Sequence, residues 1–236
     1  MTIGVISAMA KEHSQLTALL NNGLTENHRG YSFDIGSVGD NTLVLMQSGM
    51  GKVNAALGAA ALIDLYAPDC IVSTGCAGGV AGMSVMDVVV SSATAYHDVS
   101  IPGCEPGQMQ GLPARFRCDE QLVEIATSLH ADSRIMAGLI CTGDQFVTTA
   151  QQRDAIVASW PDVKAVDMES AAIAHTCFLR QVPFVSFRVI SDSPGADNHI
   201  DQYFNFWDSV ADHSFEVTRL FLTAMPAQLA VLPFAG

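Results

Sequence analysis

The chain has 236 residues, of which 49% are hydrophobic and 15% are charged, and its formal net charge is −13. This composition predicts a large buried core and excludes a disordered chain or a solvated coiled coil. An acidic chain repels phosphate backbones and anionic lipid surfaces. It therefore disfavours nucleic acid and membranes as partners and favours a small neutral or cationic ligand.

The six cysteines are scattered along the chain, without a CxxC pair or zinc-type spacing. Several lie in apolar runs such as residues 69–72, which is typical of buried, reduced thiols. The N-terminus runs directly into a strand-like segment without the features of a signal peptide, and no stretch approaches the ~18 uninterrupted apolar residues of a membrane span. We therefore expect a soluble cytoplasmic protein without a metal site.

The first half of the chain alternates short apolar runs with amphipathic segments. The apolar runs predict strands at 3–7, 31–36, 42–47, 70–75 and 86–95. A segment with leucines on one face predicts a helix at 11–20, and an Ala/Leu-rich segment after a glycine turn predicts a helix at 52–66. Residues 76–79, with the sequence CAGG, read as a loop after the fourth of these strands.

The alternation continues after a loop rich in proline and glycine at 97–110. Further strands are predicted at 135–142, 165–168 and 184–190, and further helices at 119–129, 150–159, 169–178 and 202–224. Continuous Val/Ile strands covered by helices predict an α/β fold, with a central mixed, largely parallel sheet between two helical layers. No repeat or linker divides the chain, so we expect a single domain over residues 1–236.

Common nucleotide-binding and catalytic signatures fail when they are tested. The GMGKV segment at 49–53 resembles a P-loop, but that motif needs glycine at Met46 and Ser or Thr at Val53. No G-x-G-x-x-G follows a strand in the required context, and there is no G-x-S-x-G or H-E-x-x-H. The adjacent His97 and Asp98 form a lone pair in a loop, which is usually structural. We therefore expect chemistry without a cofactor.

Acidic side chains stand where three predicted strands end, namely Glu12, Glu169 and Asp192. Ligands of open α/β sheets bind beyond the carboxyl ends of the strands. Each acid alone has a structural explanation. Glu12 and Glu169 lie in first helical turns, where a negative charge interacts favourably with the helix dipole. Asp192 precedes Ser-Pro-Gly and could cap a turn. Three acids at three strand ends of one sheet nevertheless indicate one shared site.

Six segments carry a family resemblance: residues 3–12 (IGVISAMAKE), 48–56 (SGMGKVNAA), 73–79 (STGCAGG), 142–147 (TGDQFV), 165–174 (AVDMESAAIA) and 182–192 (VPFVSFRVISD). With these segments, in this order, the chain resembles the nucleoside phosphorylase/hydrolase superfamily. Within it, the chain is similar to the nucleosidases that act on 5′-methylthioadenosine and S-adenosylhomocysteine. The resemblance covers essentially the whole chain and implies cofactor-free hydrolysis of the bond between adenine and ribose. Residues 143–147 also resemble relatives that accept 6-amino-6-deoxyfutalosine, and 5′-deoxyadenosine is a further possible substrate.

The resemblance implies two catalytic residues. Asp192 is the general acid that protonates adenine at N7, and Glu12 is the base that activates water on the opposite side of the sugar. Glu169 accepts hydrogen bonds from the ribose hydroxyls, with Met168 beside the sugar. Arg188 holds the attacking water and Glu12.

The same resemblance places Phe146 in stacking contact with adenine and the Val147 backbone at its edge. The apolar 5′ tail is expected near Met9, Met50 and the aromatic segment 203–207. The other expected substrate-binding positions are Cys76, Ala77, Gly78, Ser191, Tyr203 and Phe206. The family is usually homodimeric, and a loop from the neighbour, here residues 101–113 from Ile101 to Pro113, closes the pocket.

Two positions depart from many members of the family. Cys76 stands where they have a serine that helps to position the attacking water, which places one hydrogen bond in doubt. Ala10 and Lys11 replace acids before Glu12, which alters the rim of the site. Two alternatives stay open: a phosphate-dependent purine nucleoside phosphorylase of the same fold, and a non-catalytic nucleoside-binding protein.

Overall fold

The computed structural model describes residues 1–80, 82–196, 198–209 and 215–229, with the side chains of 208 and 209 excepted. The strands are β1 Thr2–Ser7, β2 Asn21–His28, β3 Tyr31–Val38, β4 Asn41–Gln47, β5 Cys70–Gly79, β6 Val88–Tyr96, β7 Phe116–Arg117, β8 Ile135–Thr142, β9 Val163–Asp167 and β10 Phe184–Asp192. The helices are α1 Ala10–Thr17, α2 Lys52–Tyr66, α3 Glu120–Thr127, α4 Ala150–Ser159, α5 Ser170–Arg180, α6 His199–Ser209 and α7 Glu216–Ala224.

The strands form one mixed sheet in the order β10-β6-β8-β9-β5-β1-β4-β3-β2, with β7 beside β6. β10 also pairs in parallel with β5, so that β5, β10, β6, β8 and β9 close into a ring. The expected α/β class and mixed sheet are confirmed. The expected open, three-layer arrangement is not, because β5 pairs with β1 and β10 along its length and then with β9 at Gly78 and Gly79.

Buried clusters cover both faces of this sheet, as the alternation of side chains along β1 shows. Ile3 and Val5 belong to a cluster with Leu16 of α1 and Phe221 of α7. Ile6 belongs to a second cluster with residues of α2 and α5. Helices therefore pack against both faces of the sheet at β1, and the carboxyl ends of the strands stay free to build a site. Within the ranges described above, none of the helices has the length and apolarity needed to cross a bilayer.

Some elements differ from the expectation. β2 was not predicted, because seven of its eight residues are exposed and its sequence NNGLTENH carries no alternation of apolar residues. β5 extends through residues 76–79, where a loop was expected, because small residues allow close pairing on both sides. The predicted terminal helix at 202–224 corresponds to α6 and α7 as separate helices, and its residues 210–214 lie outside the described residues.

Candidate active site

The carboxyl ends of the strands enclose a cavity with about 600 Å³ of empty space, part of it open to solvent. Glu12, Glu169 and Asp192 all line it, so the predicted convergence of the three acids is what the structure shows. Every other predicted site residue also lines it except Arg188 and Phe206. The wall further contains positions that the sequence did not single out, namely Ala8, Gln145, Val166, Asp167 and Pro194.

Glu12 lies in the first turn of α1 and is held by three backbone donors. The N–H groups of Ala8 and Met9 each donate to Oε2 at 2.9 Å, and the N–H of Cys76 donates to Oε1 at 3.2 Å. A Cβ on Gly75 would lie 2.8 Å from Oε1, so only glycine leaves room for the carboxylate. Burial raises the pKa of Glu12, although these donors favour its charged form. The result is a fixed, poorly solvated carboxylate suited to accept a proton.

Asp192 is the last residue of β10 and is buried. The hydroxyl of Ser191 donates to its Oδ1 at 2.7 Å. Burial raises the pKa of Asp192 above its ordinary value. A carboxyl group that retains its proton more readily is suited to act as a general acid.

Glu169 follows β9 at the start of α5, and the N–H of Gly51 donates to its Oε1 at 2.8 Å. Gly51 has a φ of +90°, which favours glycine. Burial, and next the charge of Asp167, raise the pKa of Glu169 to about 7, while Arg188 acts in the opposite direction. The loop before α2 therefore supplies the donor that favours a charged Glu169.

Arg188 lies behind the cavity wall and is fully buried. Its Nε donates to Asp167 Oδ2 at 2.7 Å and its Nη2 donates to the hydroxyl of Ser73 at 3.0 Å. Asp167 also accepts from the hydroxyl of Thr142 and from the N–H of Ser170. The ion-pair partner of Arg188 is thus Asp167, and the effect of Arg188 on Glu12 is electrostatic. Sequence reasoning missed Asp167, although a buried arginine requires a carboxylate and Asp167 precedes Glu169 by two residues.

We expect Arg188→Met to lower the free energy of unfolding by about 3–5 kcal/mol, because it leaves Asp167 as a buried charge without its partner. Urea denaturation followed by circular dichroism measures the change. Arg115→Met is the matched control, since Arg115 forms a two-point ion pair with Asp162 on the surface and its loss should change stability by about 1 kcal/mol or less. Equal losses in the two variants would contradict the structural role of the buried pair.

An aromatic wall lies on one side of the cavity. Phe146 has 44% of its surface exposed and meets Tyr203 edge to face, with ring centres 5.3 Å apart. Phe206, in contrast, is 1% exposed and belongs to the same buried cluster as Phe221. The prediction that Phe206 binds substrate is corrected: α6 separates the cavity from the core, and Phe206 faces the core.

Cys76 contributes its backbone N–H to Glu12, as described above, and it also lines the cavity. Burial, and next the charge of Glu12, raise the pKa of its thiol well above the ordinary value, so the thiol is neutral. Among the residues that the structure describes, no three His, Cys, Asp or Glu side chains are grouped so as to hold a metal ion. The carboxyl groups that line the cavity can exchange protons with a bound molecule.

A sequence model of the family described as "Phosphorylase superfamily" matches residues 2–223. The chain therefore belongs to this superfamily. Within it, a 5′-methylthioadenosine/S-adenosylhomocysteine nucleosidase from Actinobacillus succinogenes is 43% identical over 199 residues, which cover 82% of this chain and 86% of the relative. A protein of the same name from Anoxybacillus flavithermus is 36% identical over 231 residues, which cover 95% of this chain and 99% of the relative.

The fold comparison agrees with the sequence comparison. The crystal structure of a nucleosidase of this name from Colwellia psychrerythraea, in complex with adenine, is 36% identical and has a TM-score of 0.91. The match covers 97% of both chains. The chain belongs to the family of 5′-methylthioadenosine/S-adenosylhomocysteine nucleosidases.

Proposed function

We propose that this protein hydrolyses the N-glycosidic bond of 5′-methylthioadenosine and S-adenosylhomocysteine and releases adenine and the thioribose. The observation that carries the proposal is the convergence of three buried carboxyl groups on one cavity. The cavity wall is mostly apolar with a few polar and acidic groups, which is the usual lining of a small-molecule site. The membership in the nucleosidase family supports the same substrates.

Asp192 is the proposed general acid. Cleavage leaves negative charge on the departing adenine, and a proton delivered to N7 neutralises it. Burial, which raises the pKa of Asp192, keeps more of this carboxyl group protonated near neutral pH. The hydrogen bond from Ser191 fixes its orientation towards the base.

Glu12 is the proposed base that activates water for attack on the anomeric carbon. This division of labour between an acid and a base is that of inverting glycosidases. The three backbone donors leave Glu12 little freedom to rotate, which supports a fixed position for the water. Arg188 then favours the charged form of Glu12 from behind the wall.

The remaining cavity residues bind the substrate in this proposal. Glu169 accepts hydrogen bonds from the ribose hydroxyls beside Met168, and Phe146 stacks on adenine whose edge meets the Val147 backbone. The other proposed contacts of the nucleoside and its alkylthio tail are Met9, Met50, Cys76, Ala77, Gly78, Ser191 and Tyr203. Their side chains are mostly apolar, which suits a thioether.

We also propose that the protein is a homodimer whose loop at 101–113 closes the neighbour's cavity. The support is an exposed apolar stripe beside the cavity, formed by Met50, Val53 and Leu57. The spacing of these residues, three and four positions apart, places them on one side of the start of α2. Their exposed fractions are 61%, 68% and 58%, and a partner surface would cover them.

In this proposal the whole chain is a single layered domain. Its six unpaired cysteines support a cytoplasmic location.

Chromatography of adenine release with and without phosphate tests the proposed function. We expect equal rates in both conditions with 5′-methylthioadenosine and S-adenosylhomocysteine, because none of the described residues that line the cavity is lysine or arginine. 5′-Deoxyadenosine and 6-amino-6-deoxyfutalosine, assayed in parallel, define the substrate range. Strict dependence on phosphate would show a phosphorylase instead, and binding without any release of adenine would show a non-catalytic binding protein.

A further inference from the structure

Two loops that contribute to the cavity wall lie in direct contact with each other. The loop before α2 contributes Met50, and the loop after β8 contributes residues 145–147. The backbone N–H of Lys52 donates to Asp144 Oδ1 at 2.7 Å. A Cβ on Gly51 would lie 3.0 Å from the same oxygen, so the contact is tight. The position of one loop therefore constrains the position of the other.

The side chain of Lys52 ties both loops to a third loop, which follows β6. Its Nζ donates to Asp98 Oδ1 at 2.8 Å and to Oδ2 at 2.7 Å, and it lies 5.4 Å from the centre of the Tyr96 ring. Asp98 Oδ2 also accepts from the backbone N–H of Asp144 at 2.9 Å. Lys52, Asp98 and Asp144 are thus each bonded to the other two, and we call this closed set the loop latch.

The negative charge of Asp98 is maintained near neutral pH. Partial burial alone would raise the pKa of Asp98, but the Lys52 ammonium group and the Asp144 N–H hold that pKa below its ordinary value. His97 is the other titratable group that acts on Asp98, in the same direction as Lys52. Lys52 and Asp98 retain 22% and 27% of their side-chain exposure, so the pair is only partly screened by water.

The loop latch stands one residue away from groups that face the cavity. Gly51, whose N–H donates to Glu169 Oε1 at 2.8 Å, precedes Lys52, and Gln145 follows Asp144. None of the three latch residues lines the cavity among the residues described. They can therefore influence a bound molecule without lining its cavity, through the backbone that they hold.

We propose that Lys52, Asp98 and Asp144 are positioning residues that hold the Gly51 N–H on Glu169 and hold residues 145–147 against the bound nucleoside. The inference rests on the proposed function, because it assigns these two wall segments to the ribose and the base. It makes the outer ion pair Lys52–Asp98 a determinant of substrate affinity, although neither side chain touches the substrate.

The test compares Asp98→Ala and Lys52→Met with the wild type in steady-state release of adenine from 5′-methylthioadenosine. We expect KM to rise roughly fivefold, the factor expected for a partly exposed ion pair, while kcat stays within about twofold. Asp98→Asn keeps one acceptor for the Asp144 N–H and should give an intermediate KM. The double variant should have the KM of a single variant, because both changes open the same latch.

The pH profile of kcat/KM separates positioning from a general loss of stability. In Asp98→Ala and Lys52→Met, the hydrogen bond from the Gly51 N–H to Glu169 is weaker, which raises the pKa of Glu169 further. The ionisation of Glu169 contributes to the acidic limb of the kcat/KM profile, and this contribution moves to higher pH. The other charged groups that act on Glu169, namely Asp167, Arg188 and Glu12, are unchanged in these variants. A merely destabilised enzyme would lose active molecules, which lowers kcat and leaves KM and the pH profile unmoved.

Asp162→Ala is the matched control, because it removes an equally direct ion pair with Arg115, and neither of these two residues lines the cavity. It should leave KM and the pH profile as in the wild type. Wild-type KM and an unmoved acidic limb in both Asp98→Ala and Lys52→Met, with an active wild type, would overturn this inference alone. A wild type that releases no adenine would overturn the proposed function instead.

Discussion

Asp192→Asn lowers kcat for adenine release by roughly 10²–10⁴-fold and leaves the affinity for the nucleoside within a few fold. The amide has the shape of the carboxyl group and can still accept the hydrogen bond from Ser191. It cannot transfer a proton to the departing base, so the loss falls on the chemical step rather than on binding. Chromatographic assay of adenine gives kcat, and calorimetric titration with 5′-methylthioadenosine gives the affinity.

The pH dependence identifies Asp192 as the source of this loss. An acid must be protonated to act, so the wild-type kcat falls as pH rises through the pKa of Asp192, which burial raises. The residual activity of Asp192→Asn should lack that descending limb. Ser191→Ala is the control, because removal of the hydrogen bond that lowers this pKa should move the limb to higher pH while most activity remains. A variant Asp192→Asn with more than a tenth of the wild-type kcat would place the general acid elsewhere.

The sequence predicted best the elements whose burial is visible in their amino-acid composition. β8 and α2 have the expected bounds, because an apolar run with sharp ends and an Ala/Leu-rich segment after a glycine turn are local signals. β2 has no apolar pattern that would predict a strand, since an exposed strand at the edge of a sheet can be largely polar. The closure of the sheet was also beyond prediction, because it depends on which strand edges meet, as β5 and β9 do at Gly78 and Gly79.

The site shows the same contrast between local and long-range information. Glu12, Glu169 and Asp192 were found because each follows a strand, and the fold brings strand ends together. Asp167 was missed because its partnership with Arg188 joins residues 21 positions apart on different strands. Phe206 was assigned wrongly because α6 is apolar towards both the cavity and the core, and the sequence cannot tell which aromatic ring faces which side.

Glu12→Gln should lower kcat by roughly 10²–10⁴-fold, as expected for the loss of a general base. The amide oxygen can still accept from the N–H groups of Ala8 and Met9, while the amide NH2 group cannot accept from the Cys76 N–H. The side chain can no longer take a proton from water. Adenine release under saturating substrate measures kcat, and calorimetry checks that the nucleoside still binds. A kcat within tenfold of the wild type would show that water is activated by another group.

Gly75→Ala separates the position of the Glu12 carboxylate from its charge. The added Cβ would stand 2.8 Å from Oε1, so the carboxylate must move while its ability to accept a proton remains. We expect a fall in kcat that is clearly smaller than in Glu12→Gln, and no further fall when the two changes are combined, because a displaced amide has no catalysis left to lose. If Gly75→Ala leaves kcat unchanged, the three backbone donors around Glu12 serve folding and do not position the base.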